Sequence, residues 1–484
     1  MSRILPVPSV AVLFGAMWMV STGVVAADPY KDCLEGEGQV RIDGCASILE
    51  SGQLNGKQLN DPTRANMLFN KAIGFTEIGD DAGVVESLDQ AISLNDTDAD
   101  FFYRRGRAHA RLKQQDQALA DYNKVLDLDG GYDFAHYRRG RALSALERYD
   151  EAIADFSVSL ERGENRTDSY YYRARAHQKN RDPRKAISDF DEAIALNEDD
   201  AFAHYFRGYA YFVLETYKPA IRDFKSAISH DPSQDFFYFY LGRSLQLESD
   251  YKAALAAFEK AVELDNDYAD AVFHRGNVYR SLDQLDASIR DLTRAIELKP
   301  NHSLYNFSRG KSYAQVKQYK KAIADYDKAI ELNDKKGFYF RDRGNAHRKL
   351  KNDKQAVSDY GDAIRLDPDD DYALKFRAQI FSDYGQYDDA IEDFVAVTKL
   401  RPSQTYAFTE LAYIYHQQKN YDRSADAYSS IIALKPDDAE GYAGRGTAYL
   451  LGSKPAAAKK DFQKALALDP GNAEAQRGLS LLGN

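Results

Sequence analysis

Nine arginines and nine aspartates recur in this 484-residue chain at a constant offset of 16. The pairs are Arg105 with Asp121, Arg139 with Asp155, Arg173 with Asp189, Arg207 with Asp223, Arg275 with Asp291, Arg309 with Asp325, Arg343 with Asp359, Arg377 with Asp393 and Arg445 with Asp461. A guanidinium fork matches a carboxylate with two parallel hydrogen bonds, so such pairs either join two elements or receive a charged ligand. Three equivalent stretches carry Lys71 with Ser87, Leu241 with Ala257 and Leu411 with Ala427 instead, so the arginine and the aspartate are lost together. Positions that change together imply contact. Each arginine is therefore expected to bind the aspartate of its own stretch as a structural pair, with Leu and Ala as the apolar substitute.

A second set could bind. Phe69, Tyr103, Tyr137, Tyr171, Tyr205, Phe239, Phe273 and Phe307 form an aromatic column that gives way to Arg341, Lys375, Thr409 and Ala443. Four residues after five of these rings stand Arg107, Arg141, Arg175, Arg243 and Lys311, so cations and rings share a helix face at i, i+4 spacing. Such a face suits an extended chain bearing carboxylates, or a sugar polymer stacking on rings. Packing between neighbouring helices is the other outcome for such a stripe. Catalytic patterns dissolve on inspection: Gly310-Lys311-Ser312 imitates the end of a phosphate loop, but Tyr305 replaces the required glycine. His109, His177 and His347 share one column with aromatic residues, and His136 and His204 share another, so they are expected to replace packing rings. No catalytic set, metal site or cofactor is expected. Lys+Arg 64 against Asp+Glu 75 gives a net charge of −11, which argues against attraction to nucleic-acid phosphates.

The framework that carries both sets follows from one period. Ala72, Gly106, Gly140, Ala174, Gly208, Gly242, Gly276, Gly310, Gly344, Ala378, Ala412 and Gly446 are each 34 residues apart, giving twelve units over residues 65–472. A second small column (Ala118, Ala152, Ala186 among others) is followed four residues later by a bulky one such as Tyr122, Phe156 and Phe190. Small residues let two helices approach and the ring fills the gap beside them, so each unit is predicted to be a packed antiparallel helix pair. Pro232, Pro300, Pro368, Pro402, Pro436 and Pro470 share one slot, where they are expected to end the second helix. One pair cannot bury both faces, so the units must stack.

On these residues, and on segments such as Tyr137-Arg138-Arg139-Gly140 with Tyr149-Asp150-Glu151-Ala152-Ile153, the chain resembles the tetratricopeptide repeat (TPR) family. The resemblance implies an all-α solenoid, a right-handed superhelix of about twelve helix-turn-helix repeats whose first helices line a concave groove, and it places the aromatic column on that groove. A binding scaffold and not an enzyme is expected, because everything beyond the repeats amounts to two short caps. The family's carboxylate-clamp subtype has a basic residue at position 5 and Asn at 9, which Arg341 and Asn345 match; Phe376 departs from the Asn expected in the next repeat.

The ends read differently. Arg3 precedes an apolar run from Val10 to Val25, closed by Ala26-Ala27, so residues 1–27 are expected to be a cleaved export signal, with an uncleaved anchor as the alternative that would tie the chain to a membrane. Cys33 and Cys45, the only thiols, are expected to be bonded in an oxidising compartment, stapling a helical cap over residues 28–64. This stretch also resembles the leader region of exported bacterial TPR proteins. Residues 473–484 are expected to cap the other end with one helix. The resulting expectation is an exported scaffold, periplasmic or extracellular, that binds a protein or extended peptide in its groove. A carrier for an exported polysaccharide is the alternative.

Overall fold

The computed structural model describes residues 28–483; the expected export signal lies outside them. From Asp61 onward the described chain is helix after helix. Most repeats supply a first helix of 13 residues and a second of 14, as in Ala99–Arg111 with Gln115–Leu128. The turn inside each repeat has a common cause. Lys113, Glu147, Ser249, Lys317 and Lys419 all enter the left-handed region, with φ from 58 to 63°. Beside Lys113, the Gln114 amide reaches back to the His109 carbonyl at 2.9 Å, closing the first helix with a Schellman motif. Gly79 and Gly385 supply the same conformation in two other repeats.

The second helix ends as the proline column predicts, at an extended residue such as Asp231, Asp367 or Asp469 just before Pro232, Pro368 or Pro470. Repeats without proline stop at the same place, through a side-chain turn they share with Asp231, whose Oδ1 accepts from the Ser233 amide at 3.0 Å. Asp129 Oδ1 accepts from the Gly131 amide at 2.8 Å and Asn333 Oδ1 from the Lys335 amide at 3.1 Å, so a side chain imitates a turn of backbone.

Between the helices, the small and bulky columns meet. Phe156, Phe190, Phe258, Tyr360, Phe394 and Phe462 are fully buried. A Cβ added to Gly310 would lie 2.6 Å from the Tyr326 ring, and one added to Gly242 2.8 Å from Phe258. The glycines are therefore the hollows that these rings fill.

The chain divides into two compact units within the repeat that starts at Ala201, at Leu214/Glu215. The first unit holds the N-terminal segment, four complete repeats and the helix Ala201–Val213. The second begins with the helix Tyr217–His230, continues through seven repeats and ends in the helix Ala473–Leu481, whose Leu479 packs on the last repeat's core.

The N-terminal segment departs from an all-helical cap. Helices Pro29–Glu35 and Gln39–Ser51 are joined by the Cys33–Cys45 disulfide, and both sulfurs are buried against Ile48 and Met67. A small antiparallel ladder then pairs Gln53 with Gln58 and Leu54 with Lys57. Its turn, Asn55-Gly56, has two consecutive positive φ angles, the conformation that this dipeptide favours in tight hairpins. The first repeat's leading helix starts at Asp61, ahead of the periodic register, because Asn60 caps it by accepting from the Thr63 amide at 2.9 Å.

Candidate binding face on the first helices

Eight arginines of the charged columns each donate to the aspartate 16 residues on. Arg139 Nε and Nη2 reach Asp155 at 2.8 and 2.7 Å, and Arg309 Nε and Nη2 reach Asp325 at 2.9 and 2.7 Å. The same fork joins Arg105 to Asp121, Arg173 to Asp189 and Arg343 to Asp359. Arg275 holds Asp291 at 2.6 and 2.9 Å, Arg377 holds Asp393 at 2.8 and 2.7 Å, and Arg445 holds Asp461 at 2.7 and 2.9 Å. Arg207 and Asp223 belong to different units. Seven of the eight paired aspartates are buried, Asp393 and Asp461 among them; Asp291 departs from the rest in being only half-buried. Burial holds the Asp121 and Asp359 carboxyls above their usual range despite the bonds from Arg105 and Arg343.

A third partner was not visible in the sequence. The remaining Nη1 reaches back 16 residues to the preceding second helix. It meets Asp89 from Arg105 at 2.7 Å, Asn123 from Arg139 at 3.1 Å, Ser157 from Arg173 at 3.0 Å and Thr293 from Arg309 at 3.1 Å. Each such arginine thus ties three helices together. Histidines border the same carboxylates: His109 and His177 Nε2 lie 3.9 Å from Asp121 and Asp189, and His136 Nδ1 lies 3.1 Å from Asp155. They therefore do more than replace packing rings.

The aromatic column is largely committed to packing. Tyr137, Tyr205, Phe239 and Phe307 are buried, and Phe69, Tyr103, Tyr171 and Phe273 are half-buried. Tyr103, Tyr137, Tyr171, Phe239 and Phe307 lie 5.5–6.2 Å from the bulky residue of their own second helix, measured between ring centroids. Phe69 packs 5.2 Å from Phe101, and Phe273 stacks 4.6 Å from Tyr305. Tyr205 lies beside Phe206 and Tyr209. An open ladder of ring faces, as a stacking sugar would need, is not what these residues form.

Two of the cations one turn on lie over a ring of the next repeat. The Arg141 guanidinium lies 4.2 Å from the centroid of the Tyr172 ring, and that of Arg175 lies 3.6 Å from Phe206. Arg107, Arg243 and Lys311 also lie about 6 Å from the rings of Tyr103, Phe239 and Phe307. The residues that hold Arg141 and Arg175 stand one place after the aromatic column, a position that the sequence pattern does not single out. Arg341 and Asn345 are both engaged internally: Arg341 donates to Asp342 and Asp370 at 3.3 Å each, and Asn345 Oδ1 accepts from the Tyr360 hydroxyl at 2.7 Å. With Phe376 stacked under Arg348 at 4.0 Å, no clamp is assembled there.

Two cavities open on this face. In the first unit, Arg107, Arg111, Arg138 and Arg141 surround about 380 Å³ above Tyr122. In the second, Lys311, Asp342, Asn345, Arg348 and Tyr372 surround about 280 Å³. Among the described residues, no group of three or more His, Cys, Asp or Glu side chains could hold a metal ion. No helix of the described residues is long and apolar enough to cross a membrane.

Three family models described as tetratricopeptide repeat match this chain. One covers residues 171–235 and 377–439, a second 303–336, and a third 99–132, 135–161, 237–268, 269–302, 342–370 and 439–472. The chain belongs to the tetratricopeptide repeat family. Its TPR helices are similar to several solved structures. Yeast Tom70 is 16% identical over 87% of this chain and 96% of its own, with a TM-score of 0.36. YrrB, described as a TPR protein with an unusual peptide-binding site, is 25% identical over 39% of this chain and 97% of its own, with a TM-score of 0.35. A TPR protein from Parabacteroides merdae is 19% identical over 51% of this chain and 98% of its own, with a TM-score of 0.38. The comparison with curated proteins returned no match.

Proposed function

We propose that this TPR protein is an exported, non-enzymatic scaffold that binds a protein or an extended peptide along its first helices. One observation carries the reading: two first-helix arginines outside the charged columns are fixed in place by rings of the next repeat and left without a salt-bridge partner. Arg141 and Arg175 lie over Tyr172 and Phe206, and neither is ion-paired among the described residues. Ordering a long cationic side chain before a partner arrives lowers the entropy lost on binding, so many modest contacts can sum. The polysaccharide alternative loses its support because the aromatic column is packed. Export is supported by the sequence of residues 1–27 and by the Cys33–Cys45 bridge, a bond that persists in oxidising compartments.

The test is affinity capture with the chain starting at Asp28, using periplasmic extract of the source cells and mass spectrometry of what is retained. Specific proteins retained by the wild type and lost from an Arg141→Gln/Arg175→Gln variant are the expected result. Retention on glycan arrays with no protein captured would overturn it. Export is checked separately by N-terminal sequencing of the native protein, which should begin at Asp28.

A further inference from the structure

We infer that the second unit carries a docking surface for an anionic phospholipid membrane, on the edge where the turns inside the repeats starting at Ser303 and Gly337 stand side by side. Turns, not the faces of the first helices, form this edge, so the inference goes beyond the scaffold reading and does not depend on it. Six lysines gather there: Lys317, Lys320 and Lys321 in one repeat, and Lys349, Lys351 and Lys354 in the next, all exposed. Lys317 and Lys351 are the left-handed residues of the two turns, and Lys349 ends the helix Gly337–Lys349. The other three stand in the first turns of the helices Tyr319–Leu332 and Asp353–Leu366. Lys349 lines a cavity with Tyr319, the neighbour of Lys320, which brings the two groups together.

At four other junctions of the second unit an acid ties the neighbouring turns. Asp283 accepts from Gln315 at 3.1 Å, Asp353 from the Tyr384 hydroxyl at 2.9 Å, Asp388 from Gln418 at 3.0 Å and Asp422 from Lys454 at 2.7 Å. Between the repeats starting at Ser303 and Gly337 both sides are basic: Lys320 has the register of Asp388 and Asp422, and Lys349 has that of Gln315. None of the six lysines has a carboxylate within ion-pair distance among the described residues. Asp353, between Lys351 and Lys354, is engaged by Tyr384. The flanking turns reverse the sign, with Asp283 and Asp286 on one side and Asp383, Asp388 and Asp389 on the other. Lysines in the first turn of a helix also oppose its dipole, whose positive end adds to their field. Like charges on neighbouring turns and an opposed dipole both cost stability, and a negatively charged surface relieves both.

The side chains choose among anionic partners. Lysine presents a compact, hydrated point charge on a flexible stem, which suits many mobile phosphates better than one fixed carboxylate or base edge. Each lysine at an anionic bilayer adds a similar increment of attraction, so the cluster needs no shaped pocket. Beside Lys354 a cavity of about 350 Å³ opens, lined also by Val357, Ile380, Phe381 and Tyr384. The Tyr384 residue is 65% exposed. Apolar walls and an exposed tyrosine next to cations match the boundary between headgroups and acyl chains, where tyrosine is enriched. A nucleic-acid backbone or a free phosphate would use the cations alone. Because the chain as a whole carries −11, its average charge is repelled by such a surface, and this edge sets the orientation of approach.

The experiment sediments the chain starting at Asp28 with vesicles of equimolar phosphatidylcholine and phosphatidylglycerol, and with vesicles of phosphatidylcholine alone, at low ionic strength. The wild type should bind only the anionic vesicles and be released by salt. Lys317→Gln/Lys320→Gln/Lys321→Gln and Lys349→Gln/Lys351→Gln/Lys354→Gln should each weaken binding about a hundredfold. Arginine at the same six positions keeps the charge and should hold binding within about threefold of the wild type. A control of equal charge, Lys459→Gln/Lys460→Gln/Lys464→Gln, changes exposed lysines of another repeat in the same unit and should weaken binding by less than about threefold. Absent wild-type binding, equal binding to the neutral vesicles, or unchanged binding in both glutamine patch variants overturns the proposal. So does a loss in the control or in the arginine variant as large as in the glutamine patch variants. Retention of duplex DNA or inorganic phosphate through the same lysines, with no vesicle binding, overturns it as well.

Discussion

Removing the Asp359 carboxylate leaves the Arg343 guanidinium between two second helices with only Asp327 to receive it, at 2.7 Å from Nη1. Burial raises the cost of an unpaired charge, so Asp359→Ala should destabilise the second unit by about 3 kcal/mol. The double change Arg343→Leu/Asp359→Ala should recover most of that loss, because Leu241 with Ala257 and Leu411 with Ala427 already fill the same positions, buried, in two other repeats. Urea midpoints of the two variants measure the difference, and equal losses would refute the pairing. His274 offers a test by pH. It packs between Phe239 and Phe258 with Gln246 at 3.2 Å, and burial, reinforced by nearby Arg243 against the weaker pull of Asp270, lowers it from 6.5 to about 3. Above about 6.5 both the folded and unfolded forms are neutral. Below it the unfolded chain takes up a proton that the folded chain refuses, so stability falls by about 1.4 kcal/mol per pH unit toward 3. His274→Phe should therefore gain on the wild type between pH 7.5 and 5 in urea midpoints; a constant offset would refute this. The Arg–Asp pairs, from Arg105 with Asp121 to Arg445 with Asp461, were legible in sequence because one residue type recurs on each side. The Nη1 partners were not, because Asp, Asn, Ser and Thr all accept equally well and no column forms.

At the scale of the element, the small and bulky columns carried the whole helical architecture, since each hollow must match a ring. Gly310 shows how tightly. A methyl there would stand 2.6 Å from the fully buried Tyr326 ring and 3.2 Å from the Ala322 carbonyl, so the ring must move. Overpacking of this kind costs about 1–3 kcal/mol, against about 1 kcal/mol gained from helix propensity. Gly310→Ala should lower the thermal midpoint, and Gly310→Val should lower it further; a midpoint at or above the wild type would show that the ring has room. Features less constrained by packing were harder to read. The tight turn inside most repeats falls on Lys, Glu or Ser in the left-handed region, which composition does not announce. The Asn55-Gly56 hairpin escaped notice because its strands are two residues long and carry no alternation of apolar and polar side chains. The fate of the aromatic column was open for a related reason: the residue that covers each ring lies in the next repeat or in its own second helix, so no single stretch of sequence shows the contact.

For the molecule as a whole, a stack of repeats is stabilised mainly through nearest neighbours, so a local change should be felt locally. The 34-residue register runs without a slip through Leu214/Glu215, where the chain divides into its two units, so the period reports each helix pair and leaves the extent of cooperation among pairs to be measured. The Cys33–Cys45 bridge gives a way to measure that extent within the first unit. It closes a loop of 12 residues, for which chain entropy predicts a contribution of about 2–3 kcal/mol. Its sulfurs pack on Met67 of the first repeat's leading helix, Asp61–Ile78, so loss of the bridge should loosen that helix as well as residues 28–60. Cys33→Ser/Cys45→Ser should then speed amide exchange in the helices Pro29–Glu35, Gln39–Ser51 and Asp61–Ile78, and leave the helices Arg166–Lys179 and Pro183–Leu196 of the same unit protected as before. Mass spectrometry of exchange at neutral pH resolves these segments. Uniform loss of protection across all five would mean that the first unit opens as one body and that nearest-neighbour stacking does not govern it.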